Sequence, residues 1–163
     1  MERLNPHQYF MSLAILAAQR STCVRRKVGC IAVADKRVLA TGYNGTISGM
    51  THCTERTCYR HVNNIPSGTK LDMCYAVHAE QNVIIQAAIT GVSIKGATIY
   101  ITTTPCITCL KLLAQIGVHD IYCYKGDYPQ SDMADRICME KGIHIYTDYF
   151  TEHPIDFTKI DTI

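Results

Sequence analysis

The sequence predicts an α/β fold, a three-layer α/β/α sandwich around a five-stranded mixed sheet. Helical and extended patterns follow one another as αββαβαβαβ. The first two extended segments are close enough to form a hairpin, and the later ones alternate with helices, as crossover units covering both faces of a sheet require.

The first helix starts at Asn5-Pro6, a capping residue followed by proline, and carries Phe10, Leu13, Ala14 and Ala17 at helical spacing. Residues 28–33 and 37–41 read as two strands of a hairpin turning at Asp35-Lys36. Residues 46–75 are irregular, rich in Thr, Asn, Cys and His, and too long for an ordinary connection, so they form a cysteine-rich insertion of the kind that is functional, disordered or metal-bound. A helix then runs from near His78 to a stop at Gly91, with Ala79, Val83, Ile84, Ala87 and Ala88 as its buried stripe. Residues 97–101 form a strand. Thr104-Pro105 reads as a cap with proline at the first helical position, placing Cys106 and Cys109 in the first turn and Leu110, Leu113, Ala114 and Gly117 towards a core. A strand at 120–124, a helix at 131–141 ended by Gly142, and a strand at 143–146 complete the order. Beyond Tyr149 the pattern is weak.

At 163 residues and 47% hydrophobic, the chain reads as one domain over 1–163, with a core at about 5–147 and enough apolar material to fill it. It has no apolar run of membrane-spanning length and no secretory pattern, so a cytoplasmic protein without a membrane partner is expected. Nine cysteines in such a chain point to a reducing compartment and metal binding rather than disulfides. The formal charge of +2 is too small for a nucleic-acid footprint and favours small substrates.

Two motifs carry the chemistry: His78-Ala79-Glu80 and Pro105-Cys106-Ile107-Thr108-Cys109. Either alone is weak, since a Cys-x-x-Cys also fits a redox dithiol or a zinc knuckle. Together they supply one imidazole, two thiolates and a spare carboxylate, the ligands and general acid/base of a zinc-dependent nucleobase deaminase. Cysteines three apart share a helical face, and a helix N-terminus favours the thiolate that binds metal. A helix, a returning strand and a second helix bring both N-termini to one edge of the sheet. Three ligands leave a fourth tetrahedral position for water, as at a catalytic zinc. Glu80 lies about 200° round the helix from His78, so it reaches that water rather than the ion. A structural zinc with an incidental glutamate is the bland alternative.

With these motifs in place, the sequence resembles the cytidine deaminase-like superfamily over roughly residues 5–147, and within it the deoxycytidylate deaminases. Beyond the zinc signature, the likeness rests on Tyr9-Phe10-Met11, Arg20-Ser21-Thr22-Cys23, Val28-Gly29-Cys30, Thr41-Gly42-Tyr43-Asn44-Gly45 and Ala114-Gln115 followed by Gly117. The resemblance implies zinc-dependent hydrolysis of dCMP to dUMP and ammonia. Asn44 would bind the sugar, Tyr128 and Ala79 would contact the nucleotide, and the Thr104 carbonyl would accept from the leaving amine. Activity on dCTP as well, a non-catalytic zinc-stabilised nucleotide-binding module and a nucleic-acid editing deaminase are the competing readings.

A basic cluster of Arg20, Arg25, Arg26 and Lys27 offers at least one phosphate ligand, with Arg26 or Arg25 foremost, although favourable charge at a helix C-terminus and solvated surface account better for any one of them taken singly. Cys23, Cys53, Cys58 and Cys74, with His52 and His61 nearby, suggest a second, structural zinc; buried thiols are the alternative. Cys30, Cys123 and Cys138 fall within regular elements and read as core thiols. The family likeness further implies a homohexamer activated by dCTP with magnesium and inhibited by dTTP. The glycine-bearing segment through Gly42, Tyr43, Gly45, Thr46, Ser48, Gly49 and His52 is the candidate effector site.

Overall fold

In the computed structural model, which describes residues 3–55, 58–66, 68–126 and 131–159, the first helix, α1 (Pro6–Ala18), begins with a reciprocal cap. Asn5 accepts the Gln8 backbone N–H at 2.9 Å, and the Gln8 side chain accepts the Asn5 N–H at 3.0 Å. Its buried stripe is Phe10, Met11, Ala14 and Ala18; the expected Leu13 and Ala17 are half-buried, a rotation of about one residue. β1 (Gly29–Ala34) and β2 (Arg37–Tyr43) form the hairpin, and Asp35 and Lys36 take φ of 50° and 60°, the left-handed pair that a two-residue turn needs to match strand twist.

Within the insertion, β3 (Gly45–Thr46) pairs antiparallel with β4 (Ala76–Val77), and the intervening chain holds a short helix, α2 (Tyr59–Val62), and a 3-10 turn at Leu71–Met73. α3 (Ala79–Thr90) follows and ends at Gly91 in the left-handed conformation. Its buried residues are Ala79, Glu80, Val83 and Ala87; Ile84 is half-buried and the expected Ala88 is exposed. β5 (Thr98–Ile101) leads into α4 (Ile107–Gln115), then β6 (Asp120–Cys123), α5 (Asp132–Lys141), β7 (His144–Tyr146) and α6 (Tyr149–Glu152). α5 starts at Ser131, whose hydroxyl accepts from the Ala134 N–H, and stops at Gly142 with φ 61°.

α4 starts two residues later than the Thr104-Pro105 signal suggests. Cys106 is its capping residue, in extended conformation, and Cys109 lies three residues into the helix. Residues 102–106 remain non-helical after β5, so proline precedes the cap instead of occupying the first turn.

The sheet runs β2-β1-β5-β6-β7, with β1 antiparallel to its neighbours and β5, β6 and β7 mutually parallel. Alternation along the strands divides the core. Cys30, Ala32, Ile99, Ile101, Ile121 and Cys123 pack with α3 and α4, and α5 covers the rim. Ile31, Val33 and Tyr100 face α1 and α6. On that second face Tyr100, Tyr122 and Tyr146 occupy paired positions on β5, β6 and β7 and stack, with centroids 5.2 and 4.4 Å apart. His7 lies against the ladder, its Nδ1 2.9 Å from the Tyr100 hydroxyl.

Helix and sheet meet most closely at two glycines. A Cβ on Gly29 would fall 2.0 Å from the Ala14 carbonyl oxygen, and one on Gly42 would fall 2.4 Å from the Ala79 carbonyl oxygen and 2.7 Å from the Val83 nitrogen. These contacts are backbone to backbone and cannot be relieved by a side-chain rotation. Gly42→Ala should therefore push the first turn of α3 off the sheet. Urea denaturation should show a loss on the order of 1–3 kcal/mol or more, accompanied by weaker metal retention, because that turn carries His78 and Glu80.

Candidate metal centre

β4 leads into α3 and β5 leads towards α4. His78 caps the first helix and Cys106 the second. The Gln81 side chain accepts the His78 backbone N–H at 2.9 Å, fixing the chain as it enters α3. The His78 Nδ1 lies 3.6 Å from the Cys106 Sγ and 3.5 Å from the Cys109 Sγ. A tetrahedral zinc, with bonds of about 2.0–2.1 Å to nitrogen and about 2.3 Å to sulfur, sets those atoms about 3.6 Å apart. The separations and the donor set thus fit zinc. Among the described residues, His78, Cys106 and Cys109 are the group whose ligand atoms all lie within 4.8 Å of one another.

Proton placement suits the same ion. A hydrogen bond from Cys109 holds the Cys106 thiol down at about 4, and that bond raises Cys109. The pair therefore behaves as one thiolate and one thiol, and binding of a metal to both sulfurs releases the shared proton. His78 is raised chiefly by its hydrogen bond with Cys106. Glu80 is 3% exposed, and burial pushes its carboxyl up to about 7, with a hydrogen bond from Cys109 among the opposing influences.

His78, Glu80 and Cys106 open onto a cavity of about 80 Å³ whose walls include Arg26, Asn44, Arg60, Cys74, Ala79 and Thr104. Arg26 reaches across it, its Nη1 lying 3.5 Å from the Thr103 hydroxyl. Arg25 does not line the cavity; its guanidinium donates to the Ile65 carbonyl at 2.9 Å. Tyr128 lies outside the described residues.

Asn44 is buried and largely committed to the protein. Its Oδ1 accepts the Val28 N–H at 2.8 Å and the Ser21 hydroxyl at 2.7 Å, while Nδ2 donates to the Arg26 carbonyl at 2.8 Å. One Nδ2 hydrogen remains beyond that bond. Asn44 therefore braces the loop that carries Arg26 as well as forming the cavity wall.

Cys23 and Cys74 line the cavity, but Cys23, Cys53, Cys58 and Cys74 form no metal-holding group among the described residues. The candidate effector segment does come together: Gly42, Tyr43, Gly45, Thr46 and His52 line a separate cavity of about 830 Å³, joined by Arg20 and by Asn82 and Gln86 of α3. Arg60, which no motif singled out, is an addition by the structure. The sequence carries only a lone arginine in an irregular segment there.

Residues 4–125 match the family described as the cytidine and deoxycytidylate deaminase zinc-binding region. A deoxycytidylate deaminase of Schizosaccharomyces pombe (strain 972 / ATCC 24843) is 37% identical over 149 residues, which cover 87% of this chain and 46% of the yeast protein. The chain thus spans about half the length of that relative. A deoxycytidylate deaminase of Mycobacterium phage D29 is 38% identical over 126 residues, covering 74% of this chain and 95% of the phage protein. Among solved structures, the dCMP deaminase from the cyanophage S-TIM5 in complex with dCMP and dUMP superposes with a TM-score of 0.69 at 32% identity, covering 89% of this chain and 99% of that one.

The hydrogen bonds of Asn44 generate a direct test. Asn44→Ala leaves the Val28 N–H and the Arg26 carbonyl without their partner, which should cost about 1–3 kcal/mol per buried group left unmet. Urea denaturation of the zinc-loaded variant measures it. A stability equal to wild type would contradict the bracing role.

Proposed function

Since this chain belongs to the cytidine and deoxycytidylate deaminase family, we propose that it hydrolyses dCMP to dUMP and ammonia. The observation that carries this reading is a zinc-fitting His78, Cys106 and Cys109 group with a buried carboxyl, Glu80, against it.

Held by those three residues, zinc would supply a Lewis acid that makes water a nucleophile at neutral pH. Glu80 takes the proton from the attacking water and delivers it to the ring nitrogen, as oxygen adds to the carbon bearing the amine. It then takes the second proton from the hydroxyl now on that carbon and passes it to the departing nitrogen as the C=O bond forms and the C–N bond breaks, so that water is consumed and ammonia leaves. Burial raises the Glu80 carboxyl in the metal-free cavity, and a carboxyl beside the attacking water is suited to both directions of transfer. The Thr104 carbonyl and the Ala79 backbone orient the base from the cavity wall. The remaining Asn44 N–H serves the sugar, Arg26 serves the phosphate, and Tyr128 belongs to the same set by family likeness.

Activation by dCTP with magnesium, inhibition by dTTP and assembly into a hexamer are part of this proposal. In its support, α3 presents Glu80 to one cavity and Asn82 and Gln86 to the other, so one helix touches both ligands. An effector acts through its differential affinity for two states. Sigmoidal dCMP kinetics should become hyperbolic with dCTP and shift to higher substrate with dTTP. Hyperbolic rates indifferent to both would remove the regulatory part alone.

For the chemistry, Glu80→Gln should keep zinc and dCMP binding while kcat falls about 100- to 10,000-fold, because an amide preserves shape but cannot carry a proton. Ammonia release, zinc content and dUMP binding check it together. Turnover close to wild type would sink the mechanism.

A further inference from the structure

Arg60 is a charged wall residue of the cavity that the reaction has not yet used. It arises from α2 inside the cysteine-rich insertion, is 8% exposed, and lines the same cavity as His78, Asn44 and Arg26. Its Nη2 donates to the carbonyls of Pro66 at 2.8 Å and Thr69 at 2.6 Å, both uncharged acceptors. Its Nε is buried with no hydrogen-bond partner among the described residues. Among the described residues, no carboxylate forms an ion pair with it.

A buried guanidinium is costly unless a counter-ion and a full set of acceptors offset the loss of water. Two carbonyls supply part of the set and none of the charge. A ligand taken up by the cavity that Arg60 lines would supply the charge, and an arginine fork is matched by the paired oxygens of a phosphate. Arg26 approaches the same space from the loop after α1.

Resting on the reading that dCMP is the substrate, we propose that Arg60 is a specificity-determining residue that grips the nucleotide's 5′-phosphate together with Arg26. Its bonds to Pro66 and Thr69 make that grip hold the insertion as well. The nucleotide thereby orders a wall of its own cavity, and a nucleoside lacking the phosphate does not.

The experiment compares dCMP with deoxycytidine on zinc-loaded wild type, Arg60→Gln and Arg60→Lys, with zinc content and melting temperature followed in parallel. Arg60→Gln should raise KM for dCMP at least about tenfold, with kcat/KM for deoxycytidine little changed and zinc retained. Arg60→Lys, which keeps the charge, should recover part of the dCMP affinity. Equal losses on both substrates, or an unchanged KM for dCMP, would overturn the assignment while leaving the substrate reading intact. If Arg60→Gln fails to fold, the lysine variant decides by the same comparison. Failure of both to fold would assign Arg60 to holding the insertion alone and overturn the proposal. A wild-type enzyme that treats dCMP no better than deoxycytidine would defeat the substrate reading itself, and this inference with it.

Discussion

The convergence of the α3 and α4 N-termini, with His78 and Cys106 as capping residues 3.6 Å apart, is the constraint on which the rest of the structure depends. A helix start has unpaired N–H groups and a positive dipole end, and it fixes the first side chains closely. Two such starts at one point favour thiolate over thiol and place a buried carboxyl, Glu80, in the same first turn of α3 as His78. The sheet order and the tight β2–α3 approach at Gly42 hold the two starts in register.

A second layer of control runs through Asn44. The residue joins the end of β2 to the loop after α1 by bonds to Val28, Ser21 and Arg26. An asparagine side chain here does the work of a short strand pairing: it supplies acceptor and donor to backbone groups that would otherwise be buried unmet. The backbone at Arg26 is consequently tied to the end of β2. Arg60 is fixed in a comparable way by backbone carbonyls of its own segment.

The fold was legible where local rules and tertiary packing agree. The Asn5 cap, the Asp35-Lys36 turn, the Ser131 and Gly142 ends of α5 and the order of strands and helices all follow from short-range signals. Packing decided the rest. Thr104-Pro105 looks like a helix start, yet the chain stays non-helical until Cys106, which takes the capping position itself. The α1 stripe turned towards Ala18 because the α1 backbone lies almost against Gly29. In the centre, the convergence of His78, Cys106 and Cys109 could be read because their spacing encodes a face and a distance. Arg60 could not, since its burial is created by carbonyls six and nine residues away in a segment without periodicity. Clustered cysteines suggested a second metal, but composition carries no information about which thiols meet.

The stacked tyrosines on β5, β6 and β7 have an optical consequence. The chain contains ten tyrosines and no tryptophan, so its near-ultraviolet dichroism and intrinsic fluorescence belong to phenol rings. Tyr100 and Tyr122 are packed on the face covered by α1 and α6, and Tyr146 stacks on Tyr122 at the exposed end of the ladder. Burial raises the Tyr100 phenol and lifts Tyr122 to about 12, so these rings stay un-ionised after ordinary surface tyrosines have titrated. Spectra taken in alkali therefore isolate the ladder, giving a window on the layer away from the metal centre without any added label.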